Sequence, residues 1–345
     1  MKKRILIVSF VLAAIFLPDR PCRADGFGGF EMALKQDSIY TPGKIHLAME
    51  LTGRARMLDD YRFRVSVFTA GTLIRRHVVP ASDKGPTVFE LEFPEVSART
   101  GGLCRCEWLI GGDFFESREI PFTLWPPIEP YPGESVRKKL VWTFDTSGVL
   151  QEIFDKLEVK TVDATFQLAR DFGSPDIVFI GQDVDSNSVR RLTERLMSVE
   201  YKPIVIYLKQ KQFPKETRLE IPVENNRPLN VKCDANSLLL NDLDVVDIMK
   251  LVENTVFVKT RKDTDVGKTI ESYITEVVED GQKNIYSYLC SLRQARQTTI
   301  YCQLPVTGRN DPRSVILLKN LLKYADHIID SRENRTHPDS ERSPL

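Results

Sequence analysis

From Phe27 to Leu124 apolar and polar residues alternate with a period of two, and turn residues divide the alternation into short runs. Phe30 to Lys35, Lys44 to Leu51, Tyr61 to Phe68, Thr72 to Val79 and Thr87 to Phe93 each place one side-chain row inward and one outward, the pattern of half-buried strands. Leu103 to Ile110 and Phe114 to Leu124 flank Gly111-Gly112-Asp113, where paired glycines supply the positive φ of a tight hairpin. Tyr40 to Gly43 reads as a turn. About seven strands in roughly 100 residues, with no helical pattern between them, predict an immunoglobulin-like β-sandwich over 25–125.

Trp125 to Gly133 holds four prolines in nine residues, which removes backbone donors and keeps the chain extended, so 126–137 is expected to link two domains. Beyond it the period changes. Lys139 to Phe144, Asp176 to Gly181 and Pro203 to Leu208 are short apolar runs with a buried-strand pattern. Val149, Ile153, Phe154 and Leu157, and then Val189, Leu192, Leu196 and Val199, recur at helical spacing between them. This βαβα order predicts a doubly wound, mostly parallel α/β sheet domain over 138–330. A short helix at Asp242 to Leu251 and strands at Thr255 to Lys259, Ile270 to Val278, Ile285 to Leu292 and Thr298 to Leu304 follow. Asp311 and Pro312 then mark a helix start, cap and first position respectively, ahead of an apolar stripe ending at Ala325. Residues 331–345 are polar and are expected to be a disordered tail.

The first 24 residues stand apart. Lys2, Lys3 and Arg4 precede an apolar run of 13 residues, Ile5 to Leu17, too short to span a bilayer, and Cys22-Arg23-Ala24 puts small residues where a signal peptidase reads. The expectation is a signal peptide, 1–24, and export to the periplasm or the extracellular space, with no membrane span remaining after its removal. Asp19-Arg20-Pro21 lacks the small apolar approach of a lipid-modified Cys22. Basic and acidic residues number 48 each in the whole chain, and removal of the segment leaves 43 against 47, a net charge of −4. A nucleic-acid partner would call for a basic face, so none is expected.

Five cysteines remain after residue 24, an odd number, and Cys104 and Cys106 lie at strand spacing on one face, where they bridge poorly. Small buried hydrophobes are the simplest reading of them, with a bridge elsewhere in the chain the alternative. No CxxC or HxxxH occurs, and His46, His77, His327 and His337 are scattered, so neither metal nor cofactor is expected.

Three stretches of the second domain, Asp176 to Asp183, Lys202 to Gln210, and Thr299 to Pro305 followed by Pro312 to Ala325, resemble the class I glutamine amidotransferase-like fold. The resemblance is to its degenerate, flavodoxin-like form, found beside β-sandwiches and sugar-hydrolase domains in exported bacterial proteins. Active members need a cysteine on a glycine-bounded elbow and a histidine to take its proton. This chain has no Gly-x-Cys-x-Gly, Cys233, Cys290 and Cys302 lie outside any elbow, and His327 follows the expected end of the helix stripe with no acid to orient it. The resemblance implies a fold kept without its catalysis.

Other motifs have simple explanations. Asp265 to Thr269 ends like a phosphate loop, but Lys262 stands where the first glycine belongs. Asp183, Asp185, Asn187 and Glu194 copy part of a calcium loop, but Ser188 replaces its glycine, and Asp185 or Ser186 fits better as a helix cap. Gly181, Gln182, Asp183 and Asp185 lie beyond the carboxyl end of a parallel strand, where open sheets place ligands, and are the expected pocket. Trp108, Phe114, Phe115 and Trp125 could stack on sugars or fill the sandwich core. Arg54, Arg56, Arg62, Arg64, Arg75 and Arg76 give the sandwich a basic bias, and Glu107 is expected to face solvent. The expected function is a non-catalytic accessory or binding protein of the bacterial envelope, carbohydrate-associated, with a glycan or an envelope protein as partner. The alternative is a glycan-acting hydrolase whose carboxylates the sequence does not locate.

Overall fold

The computed structural model describes residues 29–53, 61–82, 85–131, 138–165, 174–198, 202–213, 219, 221, 231–234, 236–253, 255, 257–261, 268–276, 284–294 and 297–336. The segment 1–24, Arg54, Arg56, most of the Asp265 to Thr269 motif and 132–137 lie outside them. The chain divides into two compact units, Met1–Pro126 and Pro127–Leu345. Among the described residues it is mostly β, with four α-helices.

The first unit is a two-sheet sandwich. One sheet orders β1 (Phe30–Leu34), β3 (Gly43–Leu51) and β6 (Thr87–Phe93). The other orders β2 (Ser38–Tyr40), β8 (Asp113–Trp125), β7 (Thr100–Ile110), β4 (Tyr61–Thr69) and β5 (Thr72–Pro80). The inward rows of both sheets, Ile45, Leu47 and Met49 against Phe63, Val65, Val67, Cys104, Cys106 and Trp108, make one buried core. That is the physical outcome of the alternation. Ser38–Tyr40 is a strand where the pattern gave only the edge of a turn. Its three residues are too few to show a period, and its pairing, parallel to β8, is long-range. Gly102 lies opposite Phe122 in register, and a Cβ at Gly102 would fall 2.1 Å from the Phe122 ring, so the glycine makes room for that aromatic side chain.

The second unit holds a nine-stranded sheet. Its order runs β10 (Thr161–Asp163), β9 (Val141–Phe144), β11 (Ile177–Ile180), β12 (Ile204–Leu208), β17 (Gln297–Cys302), β16 (Asn284–Gln294), β15 (Lys268–Glu276) and β13 (Val231–Cys233), with β14 (Val258–Arg261) beside β16. The first five strands pair in parallel. Every pairing from β17 onward is antiparallel. The sheet is therefore mixed, not mostly parallel, because the last third of the unit returns through hairpins and contributes half of the pairings.

Helices lie on both faces of this sheet. Helix α1 (Val149–Lys156) sets Phe154 edge-on to Phe179, ring centroids 5.0 Å apart. Helix α2 (Ser186–Ser198) packs Val189, Leu192 and Leu196 on the opposite row, Val178, Ile180, Val205 and Tyr207. Helix α3 (Val245–Val252) begins at a reciprocal cap between Asp244 and Asp247. In helix α4 (Pro312–Thr336), Asp311 caps as its position ahead of Pro312 implies, accepting from the Arg313 amide at 3.0 Å. This helix corrects two expectations. It runs to Thr336, past the boundary placed at 331, and it includes His327, which lies exposed within the helix rather than after it.

Candidate functional site

Strand order reverses between β9 and β11: from β9 the chain crosses to β10 on one side, and β11 pairs on the other. In open sheets the crevice beyond the carboxyl ends of two such strands is where ligands bind. The loops that reach it are 145–148 after β9 and 181–185 after β11.

Asp145, half-buried in the loop after β9, turns its carboxylate back on its own chain. Asp145 Oδ1 accepts from the Ser147 amide (2.9 Å) and the Ser147 hydroxyl (2.7 Å), and Oδ2 accepts from the Leu150 amide (2.9 Å). Gly148, at φ 75°, provides no side-chain cap to α1, so Asp145 supplies the negative charge that the helix start favours. Gly181 closes in behind it. Its amide donates to the Phe144 carbonyl at 2.8 Å, and a Cβ at Gly181 would fall 2.6 Å from Asp145 Oδ1.

Three parallel strands end in glutamine: β11 in Gly181-Gln182, β12 in Lys209-Gln210 and β17 in Gln303. Gln182 straps the loop after β17, donating to the Val306 carbonyl at 2.6 Å and accepting from the Val306 amide at 3.0 Å. Gln210 and Gln303 are buried, at 1% and 0% exposure. The Gln210 amide donates to Gln303 Oε1 at 2.8 Å, and Gln303 Nε2 donates to the Gln210 carbonyl at 3.2 Å. The Gln210 side-chain amide reaches the carbonyls of Gly181 and Leu208, and the Thr255 hydroxyl donates to the Gln303 carbonyl. A polar strut thus ties the carboxyl ends of β11, β12 and β17 together.

Of the four residues expected to form a pocket, Gly181 and Gln182 belong to this network. Asp183 and Asp185 diverge from it. Asp183, at φ 52°, donates its amide to the Lys209 carbonyl and lies 3.7 Å from Lys211 Nζ. Asp185 turns into the start of α2, accepting from the amides of Asn187 and Ser188, and hydrogen bonding by Ser188 holds its carboxyl below the usual range. Glu194 sits on the exposed side of α2, 3.8 Å from Arg190, away from any calcium-loop geometry. Asp145, Gln210, Gln303 and Val306 were not singled out from sequence. The recurring signal was a glutamine one or two residues after a buried apolar strand.

Four of the five described thiols are buried in the cores, and Cys233 is half-buried. Burial pushes Cys104, Cys106, Cys290 and Cys302 up to about 12 and Cys233 up to about 11. Cys290 faces Tyr301, while Cys302, next along its strand, points to the other face of the sheet, and all five described cysteines are free. Among the described residues no group of three or more His, Cys, Asp or Glu is placed to hold a metal ion. In the sandwich, Trp108 and Trp125 are buried, Trp125 Nε1 donating to Ser38 Oγ at 2.8 Å. Only Phe114 and Phe115 of the expected aromatic platform are exposed. Glu107 is half-buried rather than open to solvent, 3.4 Å from Arg64.

No family model and no curated protein matches this chain. Among solved structures, a CARDB domain from Pyrococcus furiosus, in complex with di-metal ions, is similar at 14% identity, covering 30% of this chain and 97% of that one, with a TM-score of 0.24. The PmoD soluble domain from Methylocystis is similar at 13% identity, 29% and 93% coverage and a TM-score of 0.21. A β-glucuronidase from Parabacteroides merdae is similar at 10% identity, 52% and 24% coverage and a TM-score of 0.21. Likenesses this slight carry no argument about function.

Proposed function

We propose that this protein is an exported, non-catalytic accessory or binding protein of the bacterial envelope, carbohydrate-associated, with an immunoglobulin-like sandwich ahead of a degenerate amidotransferase-like, flavodoxin-like domain. One observation carries the non-catalytic reading. At the crevice where such sheets bind ligands, Asp145 packs against Gly181 and turns its carboxylate on the amides of Ser147 and Leu150, while Gln182 is engaged with Val306. No thiol stands there: Cys104, Cys106, Cys290 and Cys302 are buried core groups and Cys233 is half-buried on β13.

Strand order supports the two fold assignments. The sheet containing β4, β7 and β8 adjacent to one another, facing β1, β3 and β6, follows immunoglobulin-like connectivity. The parallel strands run β10-β9-β11-β12-β17, the flavodoxin-like order 2-1-3-4-5. Export rests on the basic and apolar pattern of 1–24. No helix among the described residues is long and apolar enough to cross a membrane.

A hydrolase acting on glycans needs one carboxyl kept protonated by apolar surroundings. Asp185 is instead engaged by backbone amides and by Ser188, which favours its charged form. The test is a thermal-shift screen of the full chain against mono-, oligo- and polysaccharides. A ligand of the folded state raises the melting temperature by mass action. A saccharide-dependent rise without product supports the proposal; product formation overturns it.

A further inference from the structure

Strand β5 closes the five-stranded sheet of the sandwich, and its single partner is β4, in register from Arg62↔Pro80 to Thr69↔Thr72. Its second edge of amides and carbonyls has no strand beside it among the described residues. Edge strands are ordinarily blunted by brevity, bulges, proline or inward charge. On β5 such devices stand only at the ends, a bulge beside Val67 and Phe68 and a proline at Pro80. The bulge leaves Ile74 without an opposite residue on β4, and the stretch from Arg75 to Val79 is regular. His77 packs on Phe89 of β6, ring centroids 5.0 Å apart, which holds the strand in place.

The side chains of this edge combine apolar surface with positive charge. Leu73, Ile74 and Val78 are 41%, 43% and 54% exposed, and Arg75 and Arg76 lie between them. No Asp or Glu occurs from Thr69 to Ala81. Arg76 Nε donates to the Ser66 hydroxyl, a neutral group, at 3.2 Å. Glu90 and Glu92 of the neighbouring sheet pair with Lys44 at 2.6 and 2.8 Å, and Arg75 adds a weaker attraction on Glu92.

We propose that β5 is a docking edge to which an extended, acid-bearing strand of a partner protein adds. The incoming strand would place an apolar side chain beside Val78 and two adjacent carboxylates opposite Arg75 and Arg76, one on each face of the sheet, because successive strand residues point to opposite faces. Main-chain hydrogen bonds would supply affinity and the two arginines selectivity. Charge selects this occupant over a second copy. Antiparallel self-pairing along the whole of β5 centres on Arg76 and sets Arg76 against its own counterpart, which repels. The proposal rests on the reading of the chain as a binding protein and names a partner for it.

Hydrogen exchange of the full chain tests it, with two short blocked peptides as probes, one an adjacent glutamate pair flanked by valines and the other an adjacent lysine pair flanked by valines. At ten times its Kd the glutamate peptide is expected to slow exchange across 73–79 by about tenfold. The lysine peptide should leave exchange unchanged. R75E/R76E should abolish the protection, and R75K/R76K should keep much of it, with circular dichroism showing both variants folded. No protection by the glutamate peptide, or equal protection by both, overturns the proposal. So does slow exchange without peptide in a chain that sediments at twice its mass, which would assign the edge to a second copy. A saccharide-dependent thermal shift together with unprotected β5 would overturn the docking edge and leave the binding reading standing.

Discussion

The Asp145 carboxylate and the Gly181 backbone are in direct contact: Oδ1, Cγ and Cβ of Asp145 lie 2.6, 2.8 and 2.9 Å from where a Gly181 Cβ would stand. A side chain at 181 therefore cannot be added without moving the loop after β9. Gly181→Ala is expected to destabilise the chain by about 1–3 kcal/mol, read from the urea midpoint. Asp145→Ala should not rescue it, because the Cβ at 2.9 Å remains.

Asp145 also sets its carboxylate at the start of α1, where a helix favours negative charge. Asp145→Ala frees the amides of Ser147 and Leu150 at the start of α1, at a cost of about 1 kcal/mol for the lost cap. Inorganic phosphate is then expected to raise the melting temperature of the variant and not of the parent. An equal rise in both would show that the site is open to anions already.

How much of this was legible in the sequence depends on the range of the interaction. Alternation marked β3, β4 and β6 because one face of each is buried and the other is not. Val178, Phe179 and Ile180 were legible as a run because both faces are covered. β2, β10 and β13 have three residues each, too few to show a period, and exist through pairing with distant strands. The turn of the sheet from parallel to antiparallel was half visible, in the short span of five residues between the runs Ile285 to Leu292 and Thr298 to Leu304, which suits a hairpin. At the candidate site, Gly181 and Gln182 were reached through their place after a buried strand. Asp145 and Val306 were not, since their roles depend on loops 36 and 124 residues away in sequence from Gly181 and Gln182.

Lys139 Nζ is 2.6 Å from both Asp326 and Asp330 of α4. Burial pulls the Lys139 ammonium down, but the two carboxylates outweigh it and hold it above its ordinary value. Lys139→Met removes the ammonium held between two carboxylates, one of them on buried Asp326, and a loss of about 3 kcal/mol is expected in chemical unfolding. Adding Asp326→Asn should recover part of it, because a buried negative charge is then gone.

The buried thiols set an alkaline limit. Cys290 and Cys302 are held at about 12 by burial, against an ordinary 9.0. Above the ordinary value the unfolded chain gives up these protons and the folded chain keeps them, so their contribution is full below 9.0 and is lost as pH rises toward about 12. Each group removes about 1.4 kcal/mol of stability per pH unit in that window. Urea midpoints should fall between about pH 9 and about pH 11, and Cys290→Ala/Cys302→Ala should flatten that fall. A disulfide-forming thiol reagent should leave Cys104, Cys106, Cys290 and Cys302 unlabelled in the folded chain and label them in denaturant.

The reading of a fold without catalysis is tested most directly by looking for product. The full chain is incubated with each saccharide that raises its melting temperature, and reducing ends and released fragments are followed to long times. The expected result is a ligand-dependent shift with no product above the buffer blank. Product that forms in proportion to the amount of chain present, and disappears on heat denaturation, would contradict the account.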